Sequence, residues 1–383
     1  MKKRVFAFAL ALLLCLTPLD LRARAVELEV PAPAAILMDR TTGTVLFERN
    51  ADEKLAPASV TKVMTLLLVM EAIDSGKISW QDPVTASEAA AAKGGSQVYL
   101  KVGETMTVEE MVKSVAVASA NDCACALAEL LMGTESAFVE RMNERARELG
   151  MGNTHFVNCT GLDDGENAPE HRTTARDIAL MSRELLSHED IKKYTTIWMD
   201  TVRDGAFGLS NTNKLVRFYE GTTGLKTGFT SAAGYCLSAT AEREGMELIA
   251  VVLNCKSSAE RFQAARAMLD YGFANYALVS ARPEEDLAAV PVILGKESFL
   301  VPELRGEEML LVDKEKKSGI RRDVSLLPEL QAPVQAGQRL GTLTVRAGEE
   351  ILAELPLTAP RAVARKTYWE LFRDLLARVC MCL

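Results

Sequence analysis

Short apolar runs at residues 34–39 and 44–48 flank Arg40-Thr41-Thr42-Gly43, a turn signal, and the pattern predicts two joined strands. From 59 to 73 the spacing becomes helical, with Val63, Leu66, Leu67 and Met70 recurring at three and four residues. A longer helical stretch, 108–131, is broken near Ser119-Ala120-Asn121-Asp122. Residues 136–149 and 174–186 read as amphipathic helices. Three consecutive strands are expected at 225–230, 234–241 and 247–254, the last two joined by Glu242-Arg243-Glu244-Gly245, and 259–271 returns to helix. After about Ala277 the texture changes. Short alternating runs such as 289–294 and 339–345 predict a small β-rich domain over 278–360. The segment 361–383 reads as a helix whose apolar positions include Tyr368, Trp369, Leu371, Phe372, Leu375, Leu376 and Val379.

The first residues carry a different pattern. Basic Lys2-Lys3-Arg4 precedes an apolar run from Val5 to Leu16, and Ala23-Arg24-Ala25 fits a small-x-small cleavage site. Twelve apolar residues are too few for a comfortable span, so 1–25 is expected to be a secretory signal peptide and the remainder to be exported. The catalytic part is then expected over 26–277. Cleavage would remove five basic residues and one acidic one, taking the formal charge of the 383-residue chain from −8 to −12. A surface that acidic argues against nucleic acid as a partner.

Seven cysteines would remain, an odd number in a chain that is not small, so no disulfide framework is implied. Cys236 and Cys255 fall on neighbouring strands, where buried free thiols are expected over a bridge. The histidines, His155, His171 and His188, show no HxxxH spacing and the cysteines no CxxC, so no metal site and no cofactor are expected. Asp163-Asp164 beside Gly165 reads as a turn, and His155 and His171 as structural.

With so few histidines, a serine whose base is a lysine is the better-supplied chemistry. Ser59-Val60-Thr61-Lys62 sets the two side chains three apart, on one face of a helix. A serine at a helix start also faces unpaired N–H groups, which favour negative charge. The lysine can act as base only if burial or a neighbouring cation lowers its pKa. Taken alone, this motif is better explained by a helix-capping serine with an exposed lysine. Ser119-Ala120-Asn121 and Lys226-Thr227-Gly228 follow in order, in an inter-helix loop and a strand.

The three motifs together resemble the penicillin-binding protein and serine β-lactamase superfamily. Ala58-Ser59-Val60-Thr61-Lys62, Gly94-Gly95-Ser96-Gln97, Ala118-Ser119-Ala120-Asn121-Asp122, Thr154-His155-Phe156-Val157-Asn158, Thr160-Gly161-Leu162 and Gly224-Leu225-Lys226-Thr227-Gly228-Phe229-Thr230 resemble, more narrowly, the low-molecular-mass D-alanyl-D-alanine carboxypeptidases of the penicillin-binding protein 5 type, especially their Gram-positive and sporulation-associated members. The resemblance implies an α/β (α+β) transpeptidase-like domain, an antiparallel sheet flanked by helices, followed by a small all-β domain and a C-terminal amphipathic helix. It implies peptidoglycan stem peptides ending in D-Ala-D-Ala as substrate and β-lactams as covalent inhibitors. By the same resemblance Ser59 is the nucleophile, Lys62 its base, and Ser119 and Asn121 the opposite wall. Lys226 keeps Lys62 deprotonated and, with Thr227, holds the substrate carboxylate. Gly228 allows close approach, the N–H groups of Ser59 and Phe229 form the oxyanion hole, and Arg261 recognises the carboxylate, a task suited to a guanidinium.

A β-lactamase, a D,D-endopeptidase and an inactive penicillin-binding module share these motifs. Glu166 and Glu170 lie in the interval where a β-lactamase carries its deacylating glutamate, but without the expected local pattern. The tail 361–383 admits docking on the β-domain or, as its excess of Arg and Lys beside Tyr368 and Trp369 favours, a membrane-surface anchor.

Overall fold

The computed structural model describes residues 28–381 apart from Gly165 and Glu307, so the segment 1–25, expected to be a signal peptide, lies outside the described residues. Its centre is a five-stranded antiparallel sheet. Strands β1 (Ala34–Asp39), β2 (Val45–Arg49), β3 (Thr222–Thr230), β4 (Gly234–Arg243) and β5 (Met246–Cys255) lie in the order β2-β1-β5-β4-β3. The chain therefore leaves the sheet after the first hairpin, builds a helical layer, and returns to complete it. β3, carrying the third motif, is an edge strand.

β1 and β5 lack the alternation of half-buried strands because both of their faces are covered. Ile249, Val251 and Leu253 of β5 enter one core, and Leu248, Ala250 and Val252 the other. The first core is filled by helices α1 (Lys62–Asp74), α2 (Val108–Ala118), α3 (Asn121–Met132), α4 (Glu135–Glu148) and α5 (Ala175–Leu185). Helix α6 (Ser258–Asn275) closes the second. α1 is apolar nearly all round because it runs through the middle of its layer: Val63, Met64, Leu67, Val69 and Met70 are fully buried. Lys62 is the first residue of this helix and is buried with it.

Two boundaries differ from the sequence reading. Ser59 does not open the α-helix. It sits in a preceding 3-10 turn, Ala58–Thr61, and Lys62 begins α1. The tail is not helical from 361. Val363 bridges to Val334 and Arg365 to Gly295, Arg361 pairs with Glu297, and helix α7 (Tyr368–Met381) starts only beyond them. Residues 361–367 thus finish the β-rich part, whose longest strands, Ile320–Leu326, Arg339–Ala347 and Glu350–Thr358, form an antiparallel sheet.

Candidate active site

Lys62 Nζ donates to Ser59 Oγ at 2.8 Å and to the Thr160 carbonyl at 2.7 Å. One turn of backbone brings the serine and lysine together, as the SxxK spacing predicts. The carbonyl comes from a loop almost a hundred residues on. Asn158 shapes that loop: its Oδ1 accepts from Thr160 N and Gly161 N, and its Nδ2 donates to Leu162 O. Gly161 has a φ of +81°, and a Cβ there would meet the Ala58 carbonyl at 1.8 Å. Only glycine lets the loop lie against the nucleophile turn.

Burial in this wall pushes the Lys62 ammonium down to about 7, against partial support from the nearby Cys159 and Asp122. Its depression follows from its own desolvation, one of the two causes the sequence reading offered beside a neighbouring cation. Lys226 is pushed well below the usual lysine range by burial, then by the charges of Lys62 and Arg261. Its Nζ donates to the Thr227 carbonyl at 2.9 Å.

The second wall is the joint between α2 and α3. Ser119 ends α2 in the left-handed region, φ +64°, which turns the chain so that Asn121 can begin α3. Asn121 is held by its own N–H to Ser96 O and by Nδ2 to Gly94 O, both 2.7 Å. Its Oδ1 is buried without a partner, an acceptor awaiting a donor. Behind it the Asp122 carboxylate accepts from the backbone N–H groups of Val98, Leu100 and Cys123. This fastens the Gly-Gly-Ser-Gln segment and its continuation to α3.

The third wall is β3. Thr227 Oγ1 donates to Thr212 Oγ1 at 2.7 Å, and Thr212 N donates to the Val117 carbonyl, so β3 is tied to the end of α2. Gly228 is wedged beside the nucleophile turn. A Cβ on it would stand 2.7 Å from Pro57 O and 3.1 Å from Ser59 N. The Gly228 carbonyl accepts from Arg261 Nη1 at 2.9 Å, and the same nitrogen reaches Cys236 O on β4 at 3.3 Å. A trans peptide points its N–H away from its carbonyl, so Phe229 N–H faces the open edge, beside Ser59. The Phe229 ring is half exposed and stacks on Tyr235 at 4.3 Å.

The structure therefore gathers Ser59, Lys62, Ser119, Asn121, Lys226, Thr227, Gly228 and the Phe229 N–H about one groove. Arg261 lies behind β3 and meets backbone oxygens of the site. It is buried, lies over the rings of Tyr235 and Phe262, and gives Nη1 to two backbone carbonyls, while its Nε is buried without a partner. It braces the Gly228–Phe229 peptide from behind. His171, read from the sequence as structural, has a partner that the sequence did not indicate. Its Nδ1 accepts from Val157 N–H, which fixes the proton on Nε2, 2.8 Å from Thr61 Oγ1, and that hydroxyl donates to Ala58 O. The imidazole thus steadies the nucleophile turn. Nothing local in the sequence announces a partner for Thr61 at such a distance.

Residues 22–257 match the family described as D-alanyl-D-alanine carboxypeptidase. The chain belongs to this family. Residues 284–365 match the C-terminal domain of penicillin-binding protein 5. The chain is 43% identical over 331 residues to the D-alanyl-D-alanine carboxypeptidase DacF of Bacillus subtilis, covering 85% of this chain and 84% of that one. It is 33% identical over 333 residues to DacC of Escherichia coli, covering 85% and 82%. Among solved structures it is similar to penicillin-binding protein 5 from Haemophilus influenzae, with a TM-score of 0.76, 29% identity, and 88% of this chain and 98% of that one covered. It is also similar to penicillin-binding protein D2 from Listeria monocytogenes in the ampicillin-bound form, with a TM-score of 0.59, 34% identity, and coverage of 64% and 99%. The mixed α/β domain and the β-rich C-terminal domain expected from the sequence are thus those of this family.

Proposed function

We propose that the protein is a serine D,D-carboxypeptidase that removes the terminal D-alanine from peptidoglycan stem peptides through an acyl-enzyme on Ser59. The observation that carries this reading is the contact of Lys62 Nζ with both Ser59 Oγ and Thr160 O, with the ammonium depressed to about 7. Near neutral pH a large fraction of Lys62 is an amine that can take the serine proton.

Ser59 Oγ attacks the carbonyl between the two D-alanines as its proton passes to Lys62 Nζ. The oxyanion is held by the N–H groups of Ser59 and Phe229. Asn121 Oδ1, unpaired in the groove, accepts the amide N–H of the bound peptide. The substrate carboxylate sits by Lys226 and Thr227, and its negative charge restores the proton that burial discourages on Lys226. Ser119 passes the proton to the departing amine. Water then attacks the ester, with Lys62 again as base, and the shortened peptide leaves. These roles call for no metal or cofactor.

The reaction belongs outside the cytoplasm, where its substrate is, and the expected signal peptide agrees with that. Among the described residues no helix is long and apolar enough to cross a membrane. Helix α7 instead leaves Tyr368, Trp369, Phe372, Leu375, Leu376 and Val379 in solvent, Trp369 at 74% exposure. An apolar face of that kind supports a helix lying on a membrane surface. The decisive experiment is incubation with a pentapeptide ending in D-Ala-D-Ala and, separately, with penicillin. Release of D-alanine and a stable adduct on the Ser59 peptide are expected. An adduct on another residue would refute the site, and rapid penicillin turnover without an adduct would make the protein a β-lactamase.

A further inference from the structure

Behind the groove, three segments that share no sequence motif bring two thiols and a carboxylate together. Cys125 lies on α3, Glu135 opens α4, and Cys159 stands in the loop that supplies the Thr160 carbonyl. One sulfur or oxygen from each lies within 4.8 Å of the others. Cys159 Sγ is 3.1 Å from Glu135 Oε1, which also accepts from Cys159 N at 3.1 Å. Lys93 Nζ takes the other carboxylate oxygen, Oε2, at 2.5 Å. Both thiols are fully buried, while Lys93 and Glu135 are each 23% exposed and open the cluster to solvent.

We propose that Cys125, Cys159 and Glu135 form a binding site for a thiophilic divalent cation, of which zinc is the representative. Zinc takes thiolate and carboxylate ligands at about 2.0–2.3 Å, which sets tetrahedral ligand atoms roughly 3.3–3.8 Å apart. The three donors need only a small adjustment to reach that spacing. The charge also balances. Without metal, two neutral thiols, one carboxylate and the Lys93 ammonium sum to zero. A zinc ion entering as two thiol protons leave to solvent again gives zero. A buried site that stays neutral in both states avoids the cost of an unpaired charge. The Cys125 thiol, burial and Glu135 together push the Cys159 thiol well up. Glu135 Oε1 would exchange the thiol for the metal while Oε2 keeps Lys93.

The position gives the site a consequence. Lys93 immediately precedes Gly94, whose carbonyl holds Asn121, and Cys159 immediately precedes Thr160, whose carbonyl holds Lys62. An occupied site would clamp together the supports of two catalytic walls. A CxxC search misses it because the ligands are separated by whole elements.

The test uses the whole reduced protein, stripped of metal, with zinc and cadmium ions as probes. One equivalent of zinc should bind with release of about two protons at pH 7. Cadmium should give a sulfur-to-metal charge-transfer band in the ultraviolet, and the thermal midpoint should rise on zinc addition. Cys125→Ser should abolish the cadmium band. Glu135→Gln, which keeps the side-chain shape, should weaken zinc binding by at least about tenfold and supplies the reading should Cys125→Ser fail to fold. The proposal falls if reduced protein retains no zinc against a weak chelator. It falls equally if both folded variants bind as the parent does, or if the two cysteines are found as a disulfide that zinc does not prevent.

Discussion

Gly228 lies so close to Ser59 that a single added carbon would stand 3.1 Å from the serine nitrogen and 2.7 Å from the Pro57 carbonyl. The third motif and the nucleophile turn are therefore packed backbone to backbone. Gly228→Ala should force β3 away from the turn and widen the oxyanion hole. Displacements of that order can cost about a hundredfold in rate. Stopped-flow acylation by penicillin should fall by about that factor, while the thermal midpoint changes little because the groove is open on one side.

Acylation should depend on pH through Lys62. Its neutral form is the base, so the rate should fall as pH drops through about 7. Stability moves the same way. The folded pKa lies below the unfolded value of 10.5, so between about 7 and 10.5 the unfolded chain binds more protons, and raising pH stabilises the fold. Lys62→Met should lose acylation and also flatten this rise, measured as urea midpoints from pH 7 to 9.

His171 gives a second, separate window. Burial holds its imidazole down to about 4, below the ordinary 6.5. The stability this provides is complete above 6.5 and is lost as pH falls toward 4. Removing the ring also strands the Val157 N–H, at a cost of roughly 1–3 kcal/mol if it stays buried, while the Thr61 hydroxyl keeps only its bond to Ala58 O. His171→Ala should lower stability at pH 7, slow acylation, and weaken the acid dependence between 4 and 6.5.

Arg261 can be assigned by comparing substrates. If it braces the Gly228–Phe229 peptide, Arg261→Ala should slow acylation by a β-lactam carrying a free carboxylate and by its methyl ester by the same factor. A guanidinium that binds the substrate carboxylate would give a loss confined to the free acid. Equal losses are expected, because the guanidinium already serves two backbone carbonyls.

Helix α7 should be separable from the chemistry. A chain ending at Thr367 keeps residues 361–367 and their pairing with the β-rich part. It should hydrolyse soluble pentapeptide at the parental rate and no longer sediment with anionic vesicles. Retained sedimentation would place the membrane contact elsewhere.

Much of the site was legible because its signals are local. Ser59 and Lys62 meet through one turn of chain, Ser119 and Asn121 mark a break between helices, and Gly228 is glycine for steric reasons. The strands were found despite lacking alternation, since β-branched and aliphatic runs of that length suit a sheet covered on both faces. What stayed hidden depends on distant pairing. The Thr160 carbonyl that holds Lys62, the His171 ring behind Thr61, and the Cys125–Glu135–Cys159 cluster become neighbours only after the helical layer forms. The contacts of Arg261 stayed hidden for the same reason: its residue type suits a carboxylate, and only the packing of α6 shows the backbone oxygens it also meets. The start of α7 was drawn too early because the basic residues Arg361, Arg365 and Lys366 were read together with the helix that follows, while the backbone of Val363 and Arg365 is used in bridges to Val334 and Gly295.

The edge position of β3 has one more consequence. A free strand edge offers unpaired backbone groups to any extended chain, including another copy of the protein. Here the Pro57–Ser59 turn is packed against Gly228 of that strand. A second sheet approaching this strand would meet the protein's own backbone at Gly228, so the contact that shapes the catalytic groove also leaves less of the strand for pairing with another copy.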